Sequence, residues 1–223
     1  MKILAIIPAG GKGVRSGSAT PKQYLKFKGK ELIVYTLEVF QKNKLVNEII
    51  VSAAPGYIQL LTRLKKKYGI TKLKLIVPGG SHRQDSVYNG LKSLTANKDD
   101  LIIVHDADLP LLPQSVLTSA IETAKKKGNA LVCIKAGDTI ISGKKTVNNY
   151  IDRKNIYYVQ TPQIFNFRDL TLAMNKAKKE KYYGTDESML IKKIGKKVNI
   201  TVGSLLNFKV TTKQDVGLFK KLI

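Results

Sequence analysis

The chain predicts an α/β fold, a mostly parallel sheet with helices on both faces. Three observations carry that reading. Short apolar runs alternate with amphipathic segments of helical period from the N-terminus to about residue 134. The first run, Ile3 to Ile7, passes directly into Pro8-Ala9-Gly10-Gly11-Lys12-Gly13-Val14-Arg15. Further polar or glycine turns, Gly79-Gly80 and His105-Asp106, fall just after later runs, at the carboxyl ends where such sheets bind ligands.

The strands are expected at Leu4–Ile7, Ile49–Val51, Leu73–Val77, Leu101–Val104 and Leu131–Ile134. Each is a continuous apolar run, as a strand buried on both faces requires. Helices are expected at Leu32–Phe40, Tyr57–Tyr68, Asp85–Leu94 and Val116–Lys127. In the last, Val116, Leu117, Ala120, Ile121 and Ala124 share one helical face. After Ile134 the pattern changes. Thr139-Ile140-Ile141 and Tyr150-Ile151 flank the turn-rich Ser142-Gly143-Lys144-Lys145, which reads as a hairpin arm near 138–158 on a single domain spanning 1–223. Two late helices, Leu170–Lys179 and Glu187–Ile194, precede a strand at Val198–Val202.

At 223 residues and 43% hydrophobic content the chain can build one substantial core. No apolar run is long enough to span a membrane. Cleavage of the N-terminal run as a leader would destroy the glycine turn, so it reads as the first strand of a cytoplasmic protein. The lone Cys133 sits in an apolar run and reads as a buried thiol. The net charge of +23 invites a basic nucleic-acid-binding reading. Yet the lysines fall in small groups at the ends of amphipathic segments, without interleaved aromatics, and read mainly as solvated surface that attracts anions.

The glycine turn reads as a phosphate-binding loop, because glycines admit a bulky anion to the backbone and Arg15 and Lys22 add charge nearby. A P-loop needs Lys-Ser or Lys-Thr after the last glycine, where Val14-Arg15 stands. A dinucleotide site needs an acid after the second strand, which ends in Val51-Ser52-Ala53. A nucleotidyltransferase-type loop remains, beside the plain alternative of a tight turn with solvated charges. Asp106 and Asp108 follow a strand with alternate spacing and can share a face, Asp106 being the first choice of metal ligand. Gly80, Asp85 and Ser86 form a second turn before a helix, readable as a nucleotide contact or as a helix cap.

Taken in order, the set resembles the 2-C-methyl-D-erythritol 4-phosphate cytidylyltransferase family over essentially the whole chain. It comprises the glycine loop, Pro21-Lys22-Gln23, Gly79-Gly80 with Arg83-Gln84-Asp85-Ser86, His105-Asp106-Ala107, Asp138-Thr139, Asp152-Arg153, Gln160-Thr161-Pro162-Gln163, Thr185-Asp186 and Asn207-Phe208-Lys209. The resemblance implies a Rossmann-like, nucleotidyltransferase fold and transfer of CMP from CTP to a sugar-alcohol phosphate, with Mg²⁺ or another divalent cation. It implies catalytic roles for Arg15, Lys22 and Lys209, and a cytidine surface of Ala9, Gly10, Gly11, Gly13, Gly80, Asp85 and Ser86. It implies a sugar-phosphate pocket of Thr139, Arg153, Thr161 and Thr185, metal binding at Asp106 and a homodimer formed through the arm; Asp108 departs from the family pattern and joins Asp106 as in other nucleotidyltransferases, where paired aspartates hold the metal. A ribitol-5-phosphate cytidylyltransferase is the close alternative. Two departures stand out. Leu109 replaces an arginine that usually supports the metal-binding aspartate, and Leu206 replaces an acid before Asn-x-Lys.

Overall fold

The computed structural model describes residues 1–11 and 20–223. Its centre is a seven-stranded sheet whose order is β11-β7-β10-β6-β1-β4-β5. The strands are β1 (Ile3–Ala9), β4 (Glu48–Ala53), β5 (Leu73–Pro78), β6 (Leu101–Val104), β7 (Asn129–Lys135), β10 (Tyr157–Asn166) and β11 (Ile200–Val202). β1 runs parallel to β4 and β6, β4 to β5, and β7 to β11, while β10 lies antiparallel between β6 and β7. From β1 the chain winds outward through β4 and β5, then returns to place β6 on the other side of β1. The loops after β1 and β6 therefore diverge and leave a crevice between them, the place where such sheets take ligands.

Side chains alternate across the sheet. Ile3, Ala5 and Ile7 face one apolar cluster and Leu4 and Ile6 the other, all almost fully buried. The first cluster is closed by α1 (Leu32–Lys42), α2 (Ile58–Lys67) and α4 (Gln114–Lys127). The second is closed by α3 (Arg83–Lys92), α5 (Phe167–Lys179) and α6 (Glu187–Lys193). Each isoleucine or leucine buried this way contributes about 2 kcal/mol. Gly128 ends α4 with φ +81°, a left-handed cap that a side chain would strain. Cys133 lies on β7, and burial pushes its thiol up to about 11, an inert state.

Two of the longer elements, β10 and α7, were not among the sequence expectations. β10 was not foreseen because Pro162 and polar neighbours interrupt it. The pairing with β7 breaks between Val159 and Gln163, and an irregularity of this kind is where a central strand tolerates proline. α7 (Lys213–Leu222) was also missed. It is held by a reciprocal cap, Thr212 Oγ1 accepting from Asp215 N at 3.1 Å and Asp215 Oδ2 accepting from Thr212 N at 2.7 Å. Phe219 of α7 packs edge-on against Phe27 and Tyr35, pinning the small hairpin of β2 (Lys26–Phe27) and β3 (Lys30–Glu31). The arm is a separate hairpin of β8 (Ile140–Gly143) and β9 (Val147–Ile151), and every residue of β9 is exposed. Among the described residues no helix is long and apolar enough to cross a membrane.

Candidate active site

The crevice holds a cavity of about 800 Å³. The turn after β1, the Gly79–Ser86 turn, the β6 loop and the Lys209–Thr211 segment all contribute to its lining. Two glycine turns meet at its floor. A Cβ on Gly10 would lie 2.8 Å from Ser86 Oγ, and one on Gly80 would lie 2.2 Å from Asp85 Cβ, so both positions require glycine. Ser86 Oγ accepts from Gly80 N at 3.0 Å and donates to His82 O at 3.1 Å, which fixes the second turn. Gln23 Nε2 donates to Ala9 O and Gly11 O, both at 2.9 Å, and Tyr24 OH donates to Ala9 O at 3.1 Å. The short helical turn Lys22–Tyr24 thus ties Lys22 to the end of β1.

Charge gathers at the other wall. Lys22 Nζ forms a tight ion pair with Asp108 and donates to Thr211 Oγ1 at 3.0 Å. Lys209 Nζ lies 2.7 Å from Asp106 Oδ2 and 3.8 Å from Asp108 Oδ1. Arg83 Nε donates to Asp106 Oδ1 at 2.7 Å, while its Nη1 donates to Glu187 Oε1 and Oε2 at 2.7 and 2.9 Å. Among the described residues this network pairs three carboxylates with three cations. Burial works to raise the Asp106 carboxyl, but Arg83 and Lys209 override it and hold the group well below the usual carboxylate range. Burial raises Asp108 and Glu187, against the pull of their cationic partners. Lys209 is held up by Asp106 and Asp108 although burial acts the other way.

His105 lies beneath this cluster, fully buried. Its Nε2 is 3.1 Å from Leu109 O, a carbonyl that can only accept, so Nε2 carries the proton. Nδ1 then accepts from Thr161 Oγ1 at 3.0 Å, and Thr161 Oγ1 accepts from Asp106 N at 3.2 Å. Burial pushes the imidazole down to about 4, so it is neutral near pH 7. It orients the Asp106 turn and stays off the cavity.

Of the residues singled out above, Ala9, Gly10, Gly11, Lys22, Gly80, Ser86, Asp106, Asp108 and Lys209 line the one cavity. Gly13 and Arg15 lie outside the described residues. Asp85 is placed off the cavity. Its Oδ2 accepts from His82 N at 3.1 Å, as a helix cap does, and its Oδ1 accepts from Tyr183 OH at 3.3 Å. Thr139, Arg153, Thr161 and Thr185 are not among the described residues that line it. Thr161 is 6% exposed with its hydroxyl committed to His105 and Asp106 N, so its side chain braces the site from below. Thr185 donates to Met189 Sδ at 3.1 Å, and Arg153 donates to Gly137 O within the arm. Leu109 removes one charge partner that the family pattern gives Asp106, and others remain. Leu109 is buried, and Arg83 and Lys209 both neutralise Asp106. Arg83 stood in the motif set without a role and Glu187 was given none, because 104 positions separate them and only the fold joins them.

The donor set fits a hard divalent cation. The Lys209 ammonium already lies between the Asp106 and Asp108 carboxylates, so both oxygens are aimed at one cation position. Among the described residues no group of three or more His, Cys, Asp or Glu forms a closed cage. A Mg²⁺ ion shared with substrate phosphates needs only one or two protein carboxylates.

Comparison with known proteins follows the same line. The family model described as IspD, 2-C-methyl-D-erythritol 4-phosphate cytidylyltransferase, matches residues 3–222. A curated protein of that name from Syntrophus aciditrophicus is 38% identical, covering 97% of this chain and 94% of its own. One from Geotalea uraniireducens is 36% identical over 98% and 95%. The crystal structure of the protein of that name from Francisella tularensis superposes with a TM-score of 0.84 at 27% identity, covering all of both chains. That from Thermus thermophilus gives 0.82 at 26% identity, covering 100% of this chain and 98% of that one.

Proposed function

The chain belongs to the 2-C-methyl-D-erythritol 4-phosphate cytidylyltransferase family, and on that premise we propose how its crevice performs cytidylyl transfer. The enzyme is a nucleotidyltransferase of isoprenoid-precursor synthesis: it transfers CMP from CTP to 2-C-methyl-D-erythritol 4-phosphate. An anionic oxygen of the acceptor phosphate attacks the α-phosphorus, a new P–O bond forms, the bond to the β-phosphate breaks, and pyrophosphate leaves. The attacking oxygen carries no proton to remove, so the protein contributes position and positive charge rather than a general base.

The observation that carries this reading is the pairing of two lysines with two aspartates inside a glycine-floored cavity. Lys22 and Lys209 are neutralised by Asp108 and Asp106. With the triphosphate bound, the Lys22 and Lys209 ammonium groups would turn to its phosphate oxygens, and Asp106 and Asp108 would be the residues free to hold a divalent cation. A cation held by Asp106 and Asp108 supplies charge to the triphosphate and to the departing pyrophosphate. Each ammonium and each carboxylate would keep an opposite charge beside it, so none is buried alone. Lys22 and Lys209 then stabilise the charge that builds on the transferring phosphoryl group. By the resemblance alone, the family motif carries the same charge-stabilising role to Arg15.

The acceptor pocket is completed in our reading by a second copy of the chain. Tyr150 of β9 is 76% exposed and Ile141 of β8 is 50% exposed. Thr139 and Arg153 lie at the base of the arm, beyond the cavity of one chain. A homodimer that covers the arm brings such residues to a neighbour's crevice. We place the enzyme in the cytoplasm, and we read the scattered lysines as a surface that draws anionic substrates rather than nucleic acid.

The test is pyrophosphate release with CTP and Mg²⁺, with methylerythritol phosphate, ribitol 5-phosphate and glycerol phosphate as acceptors. Release with methylerythritol phosphate alone is expected. Release with ribitol 5-phosphate alone would move the acceptor to that polyol, and no release with any acceptor would sink the assignment.

A further inference from the structure

We propose that Glu187 is a positioning residue that holds Arg83 as the fixed counter-ion of Asp106 and keeps it from the nucleotide phosphates. The inference rests on the cytidylyltransferase reading of the crevice and goes beyond it to a division of labour among its cations. Lys22 and Lys209 each reach a carboxylate through a flexible stem ending in a compact ammonium, and both can exchange partners. Arg83 cannot move so freely. Its guanidinium is gripped at one edge by both oxygens of Glu187, 2.7 and 2.9 Å from Nη1, and meets Asp106 through Nε at 2.7 Å. Glu187 is 1% exposed and sits on α6, whose Leu190 and Ile191 are anchored in the core, so the grip is rigid.

Two consequences follow from this geometry. Asp106 Oδ1 stays with Arg83, so only Oδ2 is presented to the cavity, where Lys209 now meets it. An arginine lining a cavity built for a triphosphate would otherwise fork onto the phosphates, since its planar donors match them. Glu187 thereby fixes which carboxylate oxygen meets the incoming cation and which side chains meet the phosphates. This arrangement also supplies Asp106 with an arginine partner despite Leu109.

The test is Glu187→Gln, which keeps the shape and removes the charge. In pyrophosphate release, kcat is expected to fall by about 10- to 100-fold, while KM for CTP stays level or decreases as Arg83 turns to the phosphates. Glu187→Asp, which keeps the charge, is expected to recover at least part of kcat. Exchange of the Arg83 Nε–H with water, followed by NMR on the protein without substrates, is expected to speed up about tenfold or more in Glu187→Gln, as the fixed bond to Asp106 loosens. A kcat within about threefold of the wild type would overturn the proposal, as would a KM for CTP that rises in step with the fall in kcat. Unchanged Nε–H exchange would overturn it equally. If Glu187→Gln fails to fold, Arg83→Lys carries the test, because lysine lacks the separate Nε and Nη1 donors with which Arg83 meets Asp106 and Glu187 from different edges. The same kcat loss is expected there, and wild-type kcat would refute the idea. The exchange measurement needs no turnover, and wild-type pyrophosphate release tests the underlying reading separately.

Discussion

Replacing Lys22 with alanine is expected to slow cytidylyl transfer by about a thousandfold, ~4 kcal/mol of barrier, while KM for CTP changes by less than about tenfold. The asymmetry follows from where the ammonium lies. It is paired with Asp108 before substrate arrives, so part of what it gains on the ground-state triphosphate is lost from that pair. Its full benefit appears only when charge builds on the transferring phosphoryl group. The substitution also leaves Asp108 nearly buried with, among the described residues, only the Lys209 cation at 3.8 Å, so stability should fall by about 1–3 kcal/mol. The double variant Lys22→Ala with Asp108→Ala separates the two effects. Stability should return towards wild type, and turnover should not. Wild-type turnover in Lys22→Ala would remove Lys22 from the mechanism.

Asp106→Asn is expected to cut turnover at least about a hundredfold and to raise the concentration of Mg²⁺ needed for half-maximal rate. The carboxylate is held by Arg83 on one oxygen and Lys209 on the other, so an amide of the same shape retains the packing but must present an NH₂ to one of two cations. Asp108→Ala is expected to show a smaller rise in Mg²⁺ requirement, because Asp108 Oδ1 lies farther from the shared cation position. An Asp106→Asn enzyme with wild-type Mg²⁺ dependence would show that Asp106 is only a brace for the turn.

How far these residues were legible in the sequence depends on what each signal measures. Leu4–Ile7 and Leu101–Val104 announced themselves as strands because a strand buried on both faces is a continuous apolar run. Their order and the turns after them located the crevice. β10 stayed hidden because Pro162 and Gln163 break the run, although Gln163 is 1% exposed and its Oε1 accepts from Ser188 N at 3.0 Å. That bond holds the start of α6, and with it Glu187. A glutamate just inside a helix start reads locally as a favourable charge at the dipole. Nothing nearby in sequence reveals that it grips an arginine in α3. Thr161 illustrates the reverse case. The family resemblance marks it as a substrate contact, while in this chain its hydroxyl completes the path from Asp106 N to His105. Motifs locate the neighbourhood, and only the packing decides which atom faces the cavity.

The most direct test of the central claim is phosphorus NMR of CTP and methylerythritol phosphate incubated with the enzyme and Mg²⁺. The account predicts that both substrates are consumed together, giving free pyrophosphate and a diphosphate diester in equal amounts, its two phosphorus atoms coupled to each other. CDP with inorganic phosphate, or consumption of CTP while the acceptor resonance is untouched, would contradict attack at the α-phosphorus by the sugar-alcohol phosphate.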